Sequence, residues 1–73
     1  MRDTTLGGRL RQLRHERGWT LAHLSKRTDL SVSYLNDIEH DRSVPALRRL
    51  VTIAAVLGTD VRGLLEGVSP YDK

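Results

Sequence analysis

Leucine recurs at helical spacing along this chain, and each run is cut short by a residue that ends a helix. Leu6, Leu10 and Leu13 follow the i, i+4, i+7 rule, with Arg9, Arg11, Arg14 and Arg17 on the remaining faces. Gly18 stands where a helix exits through the left-handed conformation. Trp19 follows as the large aromatic available to anchor a core. Thr20 is an N-cap residue for a second helix. In that helix Ala22 and Leu24 face inward, Thr28 is a partly apolar neighbour, and Lys26 and Arg27 suit the negative end of the dipole. Asp29 tolerates a positive φ and makes a tight turn. Leu30 re-enters the core and Ser31 caps the next helix at once. Two short helices joined by a turn of about three residues form a helix-turn-helix.

The remainder keeps the same period. Residues 40–44 are a polar loop, and Pro45 pre-sets φ for a fourth helix. Leu47, Leu50, Ile53, Ala54 and Leu57 give that helix a wide apolar stripe, which Gly58 ends. Asp60 caps a last short helix with Val61, Leu64 and Leu65, closed by Gly67. No strand-like alternation persists anywhere. The expected fold is all-α, a compact bundle of about five short helices with the helix-turn-helix inside it. Residues 1–67 are expected to form the domain, and residues 68–73 a short tail or the start of a linker.

Composition narrows the function. A chain of 73 residues is one domain. Cysteine is absent, so neither disulfides nor thiolate zinc sites are available. No apolar run approaches the roughly 20 residues of a membrane span, and the N-terminus lacks a signal-peptide core, so a cytoplasmic setting is expected. The net charge of +3 and pI near 10.0 are a mild basic bias, compatible with a polyanionic partner. Phe is absent and aromatics make up only 4%, which argues against a base-stacking platform for single strands. His15, His23 and His40 lack the spacing of a metal pair on one helix, so no metal or other cofactor is expected. No nucleophile constellation is present, and Gly7-Gly8 has neither the Lys nor the preceding strand of a phosphate loop, so no catalysis is expected.

The stretch from Ser31 to Glu39 carries the positive reading. Leu35 and Ile38 share an inner side, while Ser33, Asn36, Asp37 and His40 fall on the other. Long Lys or Glu side chains are the ordinary solvent-facing choice; a small, uncharged outer face at the leading end fits a reading head for a DNA groove.

With its helices placed, the chain resembles the phage-repressor and Cro-type helix-turn-helix family, the xenobiotic-response-element type with a lambda repressor-like fold. The resemblance runs over residues 6–65. It is carried by Leu10-Arg11-Gln12-Leu13-Arg14, Gly18-Trp19-Thr20, Leu24-Ser25, Ser33-Tyr34-Leu35-Asn36-Asp37-Ile38-Glu39, Pro45 and Leu57-Gly58. It departs at Asp29 and Asp41, where the family favours glycine, at Ser25, Thr28 and Ala46, and at Leu21, which replaces a polar residue.

The resemblance implies sequence-specific binding of double-stranded DNA by a transcriptional regulator of bacterial or phage origin, most often a repressor. The third helix then lies in the major groove, and a homodimer meets a palindromic operator. Arg14 and Glu39 match a structural ion pair joining the first helix to the end of the third. Val32, Ser33, Asn36 and Asp37 are the candidates for base edges: Val32 for a thymine methyl, Asn36 for adenine, Asp37 for cytosine N4. Thr20, Ser31, Tyr34, His40, Arg42 and Ser43 are the candidates for phosphates. Arg9, Arg11, Arg17, Lys26, Arg27, Arg48 and Arg49 are expected to be solvated charges. Val61, Leu64, Leu65, Val68 and Tyr71 are the expected dimer surface. Two rival readings are an antitoxin-type regulator that also binds a protein toxin, and a protein-interaction module without DNA binding.

Overall fold

The computed structural model describes residues 4–68. They form α1 (Leu6–Glu16), α2 (Leu21–Thr28), α3 (Val32–Glu39), α4 (Leu47–Val56) and α5 (Val61–Leu65). Four of the five helices start on a side-chain cap. The Thr5, Thr20, Ser31 and Asp60 side chains accept from the backbone N–H groups of Gly8, His23, Tyr34 and Gly63. Each bond satisfies one amide the first turn would otherwise leave without a partner. Ala46 precedes α4 and offers no such oxygen. Thr5, which the sequence reading did not assign to a cap, is a true one.

Left-handed residues at Gly18 and Asp29 set the turns on either side of α2. Gly18 has φ +70°, and around it Gly18 N–H donates to His15 O and Trp19 N–H to Arg14 O, at 2.9 and 3.1 Å. That reciprocal pattern stops α1 and directs the chain into α2. Asp29 ends α2 at φ 63°, ψ 25°, as expected for the helix-turn-helix corner. Two departures from the family pattern stiffen this corner. Ser25 Oγ donates to Leu30 O, while Thr28 Oγ1 donates to Leu24 O and accepts from Leu30 N–H.

Leu10, Leu24, Leu35, Ile38, Leu50, Ile53, Ala54, Leu57 and Leu64 form the core. Every helix contributes at least one, so no helix can be removed without opening the interior. Leu6, Leu13, Trp19, Leu21 and Leu30 close its rim.

Several sequence expectations shift. Ala22 is exposed, and its neighbour Leu21 packs on the core instead. Leu47 is 68% exposed although it shares the stripe spacing, because α4 buries only the row Leu50, Ile53, Ala54 and Leu57 beyond its first turn. Trp19 is half-buried and not interior. The guanidinium groups of Arg17 and Arg27 lie 5.2 Å from its ring centre, and His23 is tilted against it. Leu64 is wholly buried, so it belongs to the core and not to a dimer surface. Tyr71 lies outside the described residues. Val68, read as the start of a tail, is half-buried and forms an isolated parallel bridge with Thr4. Among the described residues, no helix is long and apolar enough to cross a membrane.

Candidate nucleic-acid interface

The mount of α3 comes first. Arg14 Nε and Nη2 donate to the two Glu39 carboxylate oxygens at 2.7 and 2.9 Å, and Nη1 donates to Trp19 O at 2.7 Å. One buried guanidinium therefore ties α1 to the last turn of α3 and to the residue that leads into α2. A fork-to-fork pair fixes orientation as well as distance. Donation to the Glu39 carboxylate raises the Arg14 pKa above its ordinary value, outweighing the opposing effect of burial.

A second tie lies at the other end of α1. Asp41, at φ +60°, accepts from Thr5 Oγ1 at 2.7 Å and from Gly7 N–H at 2.9 Å. The aspartate standing where the family favours glycine thus adds two bonds that glycine lacks. α1 and α3 approach so closely here that a Cβ on Gly7 would lie 2.6 Å from Glu39 O, and closer still to Ile38 O. Gly7 is buried because a backbone carbonyl occupies the space a side chain would need.

Held this way, α3 presents the face opposite Leu35 and Ile38. Val32 is 43% exposed, Ser33 is exposed, and Asn36 and Asp37 are half-buried. These four base-edge candidates sit on one helix side. Thr20 and Ser31 spend a hydroxyl lone pair on capping and keep their O–H for an outside acceptor. His40 Nδ1 lies 2.9 Å from Asn36 O, at the end of α3. Ser43 is half-buried in the following loop. Arg42, a phosphate candidate from sequence, donates Nε to Asp37 Oδ1 at 3.1 Å, with both side chains largely in solvent. The pair offsets the Asp37 carboxylate on this face of α3, and it uses one of the Arg42 donors.

Some arginines expected to be plain solvated charges have partners. Arg9 Nη2 donates to Gly63 O at 3.1 Å and Arg17 Nε to Leu57 O at 3.0 Å, so α1 satisfies carbonyls of α5 and of the α4 C-terminus. The Arg49 guanidinium lies 5.4 Å from the centre of the Tyr34 ring. None of these has a sequence signal, because each joins residues far apart in the chain. Among the described residues, no three His, Asp or Glu side chains come together to hold a metal ion.

Known proteins with this pattern can now be set beside it. A family model described as a helix-turn-helix domain matches residues 5–66. The HTH-type transcriptional regulator DdrOP3 of Deinococcus deserti is 44% identical over 63 residues, covering 86% of this chain and 49% of that protein. The immunity repressor protein of Bacillus phage phi105 is 41% identical over 61 residues, covering 84% of this chain and 42% of that protein. The chain therefore spans about half the length of these relatives. The crystal structure of SinR, a master regulator for biofilm formation, in complex with DNA, matches with a TM-score of 0.78. It is 34% identical and covers 84% of this chain and 98% of that one. Since the match takes in all five helices, from the Thr5 cap to the end of α5, the chain belongs to the phage-repressor and Cro-type helix-turn-helix domain family.

Proposed function

We propose that this chain is the reading module of a transcriptional repressor that binds double-stranded DNA with α3 in the major groove. The observation that carries the reading is the outer face of α3. It is exposed, small and uncharged at its leading end, and it is mounted on a buried ion pair that fixes its direction. On this reading Val32, Ser33, Asn36 and Asp37 meet base edges, with Asn36 pairing to adenine and Asp37 accepting from cytosine N4. Thr20, Ser31, Tyr34, His40, Arg42 and Ser43 meet phosphates, and these supply affinity without sequence preference. Arg42 serves two ends, since one donor neutralises Asp37 and the rest face the DNA backbone.

Residues 1–67 act as the module. A single α3 spans few base pairs, so two copies read a palindrome with half-sites about 34–36 Å apart. Leu65, which is 42% exposed, with the half-buried Val61 and Val68 beside it, is the proposed contact between copies. Selection of bound duplexes from a random pool, repeated over a salt series, tests the reading. The expected product is a palindromic consensus whose binding weakens linearly in log salt. Absence of any bound duplex at low salt overturns it.

A further inference from the structure

Of the nine arginines among the described residues, eight lie on a helix or flank one and Arg42 lies in a loop, and their surroundings separate them. Arg9, Arg14, Arg17 and Arg42 each donate a strong bond to a carbonyl or a carboxylate. Among the described residues the ion pairs are Arg14–Glu39 and Arg42–Asp37, and neither involves Arg49. Arg49 is exposed, yet it is placed: its guanidinium lies over the Tyr34 ring, 5.4 Å from the centroid, across the gap from α4 to α3. A guanidinium over an aromatic face leaves its N–H edge directed away from the ring and open to an acceptor. Neither the Arg49 guanidinium nor the Tyr34 hydroxyl has a hydrogen-bond partner among the described residues.

Position on α3 gives this pair its meaning. Tyr34 and Asp37 are three residues apart, so they line one flank of the helix. Arg42 sits on Asp37 and Arg49 sits on Tyr34. The same flank is therefore edged by two guanidinium groups brought from outside α3, one from the loop and one from α4. Their presence beside a face with small uncharged residues divides α3 into a side suited to bases and an edge suited to a run of phosphates.

We propose that Arg49, with the Tyr34 hydroxyl beside it, is a DNA phosphate contact, and that the strand whose backbone Arg42 meets continues along α3 to Arg49. This rests on the reading of α3 as the DNA-facing helix. Arg49 is held in place before DNA arrives, because the aromatic ring restricts its long side chain, so less conformational freedom is lost on binding than for a free arginine.

Salt-dependent binding of the intact chain to a selected duplex and to an unrelated duplex tests the proposal. The variants are Arg49→Ala, Arg49→Lys, Tyr34→Phe and, as a charge control on α5, Arg62→Ala. Arg49→Ala is expected to weaken both duplexes alike, on the order of tenfold, and to reduce the slope of log affinity against log salt by about one. Arg49→Lys keeps the charge and is expected to recover most of the slope. Tyr34→Phe keeps the ring and is expected to leave the slope intact while weakening both duplexes. Arg62→Ala is expected to change the slope by less than Arg49→Ala. Equal slopes for Arg49→Ala and the parent protein overturn the proposal, as does an equal effect of Arg62→Ala. Should Arg49→Ala unfold, Arg49→Gln takes its place with the same expected slope. Failure of the parent protein to bind any duplex at low salt is a different result: it removes the DNA reading itself.

Discussion

Glu39 has both carboxylate oxygens on Arg14 and almost no access to water, so its charge is tolerable only while the guanidinium is there. Glu39→Ala leaves Arg14 buried without its counter-charge, and the expected loss is about 3–5 kcal/mol, read by urea denaturation. An unchanged midpoint would falsify the structural role given to the pair. The folded-state pKa of Arg14 is raised, so its contribution is complete below the unfolded value and is lost only as pH rises through the higher folded value. The arginine half of the pair is accordingly constant across neutral pH. Gly7 is the second sensitive position. Gly7→Ala puts a methyl group against the carbonyls of Ile38 and Glu39, and about 1–3 kcal/mol of destabilisation is expected in the same assay. A mutant as stable as the parent would mean that α1 and α3 can separate freely at this point. The ion pair could be anticipated from resemblance. The steric demand on Gly7 could not, because it depends on how closely two helices approach.

At the scale of the element, helix ends were legible because caps are local. Thr20, Ser31 and Asp60 bond to amides three residues on, within reach of any reading of adjacent residues. α4 is the exception, beginning on Ala46 with no side-chain bond. Ala46→Ser supplies the missing acceptor and is expected to raise stability by about 0.5–1 kcal/mol, seen as a higher thermal midpoint. No gain would indicate that the hydroxyl cannot reach the first turn of α4. For α3 the informative change is Asn36→Ala. Repeating the duplex selection with it should shift the consensus at one base per half-site while leaving affinity for unrelated DNA nearly constant. An identical consensus removes Asn36 from the base-reading set. The face of α3 was visible in the sequence from a spacing of three and four; the cations at its edge were not.

At the scale of the molecule, the described residues form five short helices around a core of nine buried hydrophobic residues, and basic side chains from several elements stitch it together. Arg9 and Arg17 both reach from α1 to carbonyls more than 30 residues away. Both keep their charge but are fixed in place, so the net charge of +3 does not by itself tell which cations face a polyanion. Arg42 is proposed as one that does. Arg42→Ala is expected to reduce the salt slope by about one and to weaken all duplexes alike, measured by titration over a salt series. A loss confined to the selected duplex would instead make Arg42 a base contact, or make Asp37 dependent on it for its own.

What the sequence determined by itself was a set of local decisions: where α2, α3 and α5 are capped, which side of α1 and of α3 is apolar, and that Asp29 turns the chain between α2 and α3. These follow from caps, positive φ and a period of 3.6, all properties of neighbours in the chain. What only the tertiary structure decided was the fate of side chains whose partners lie far along it. Trp19 became a half-buried ring under two arginines, Leu64 went into the core, Asp41 clasped the start of α1, and Arg49 came to rest on Tyr34. Long cationic side chains and single apolar residues are read alike by any periodic pattern; packing alone separates those that hold the fold from those that face outward.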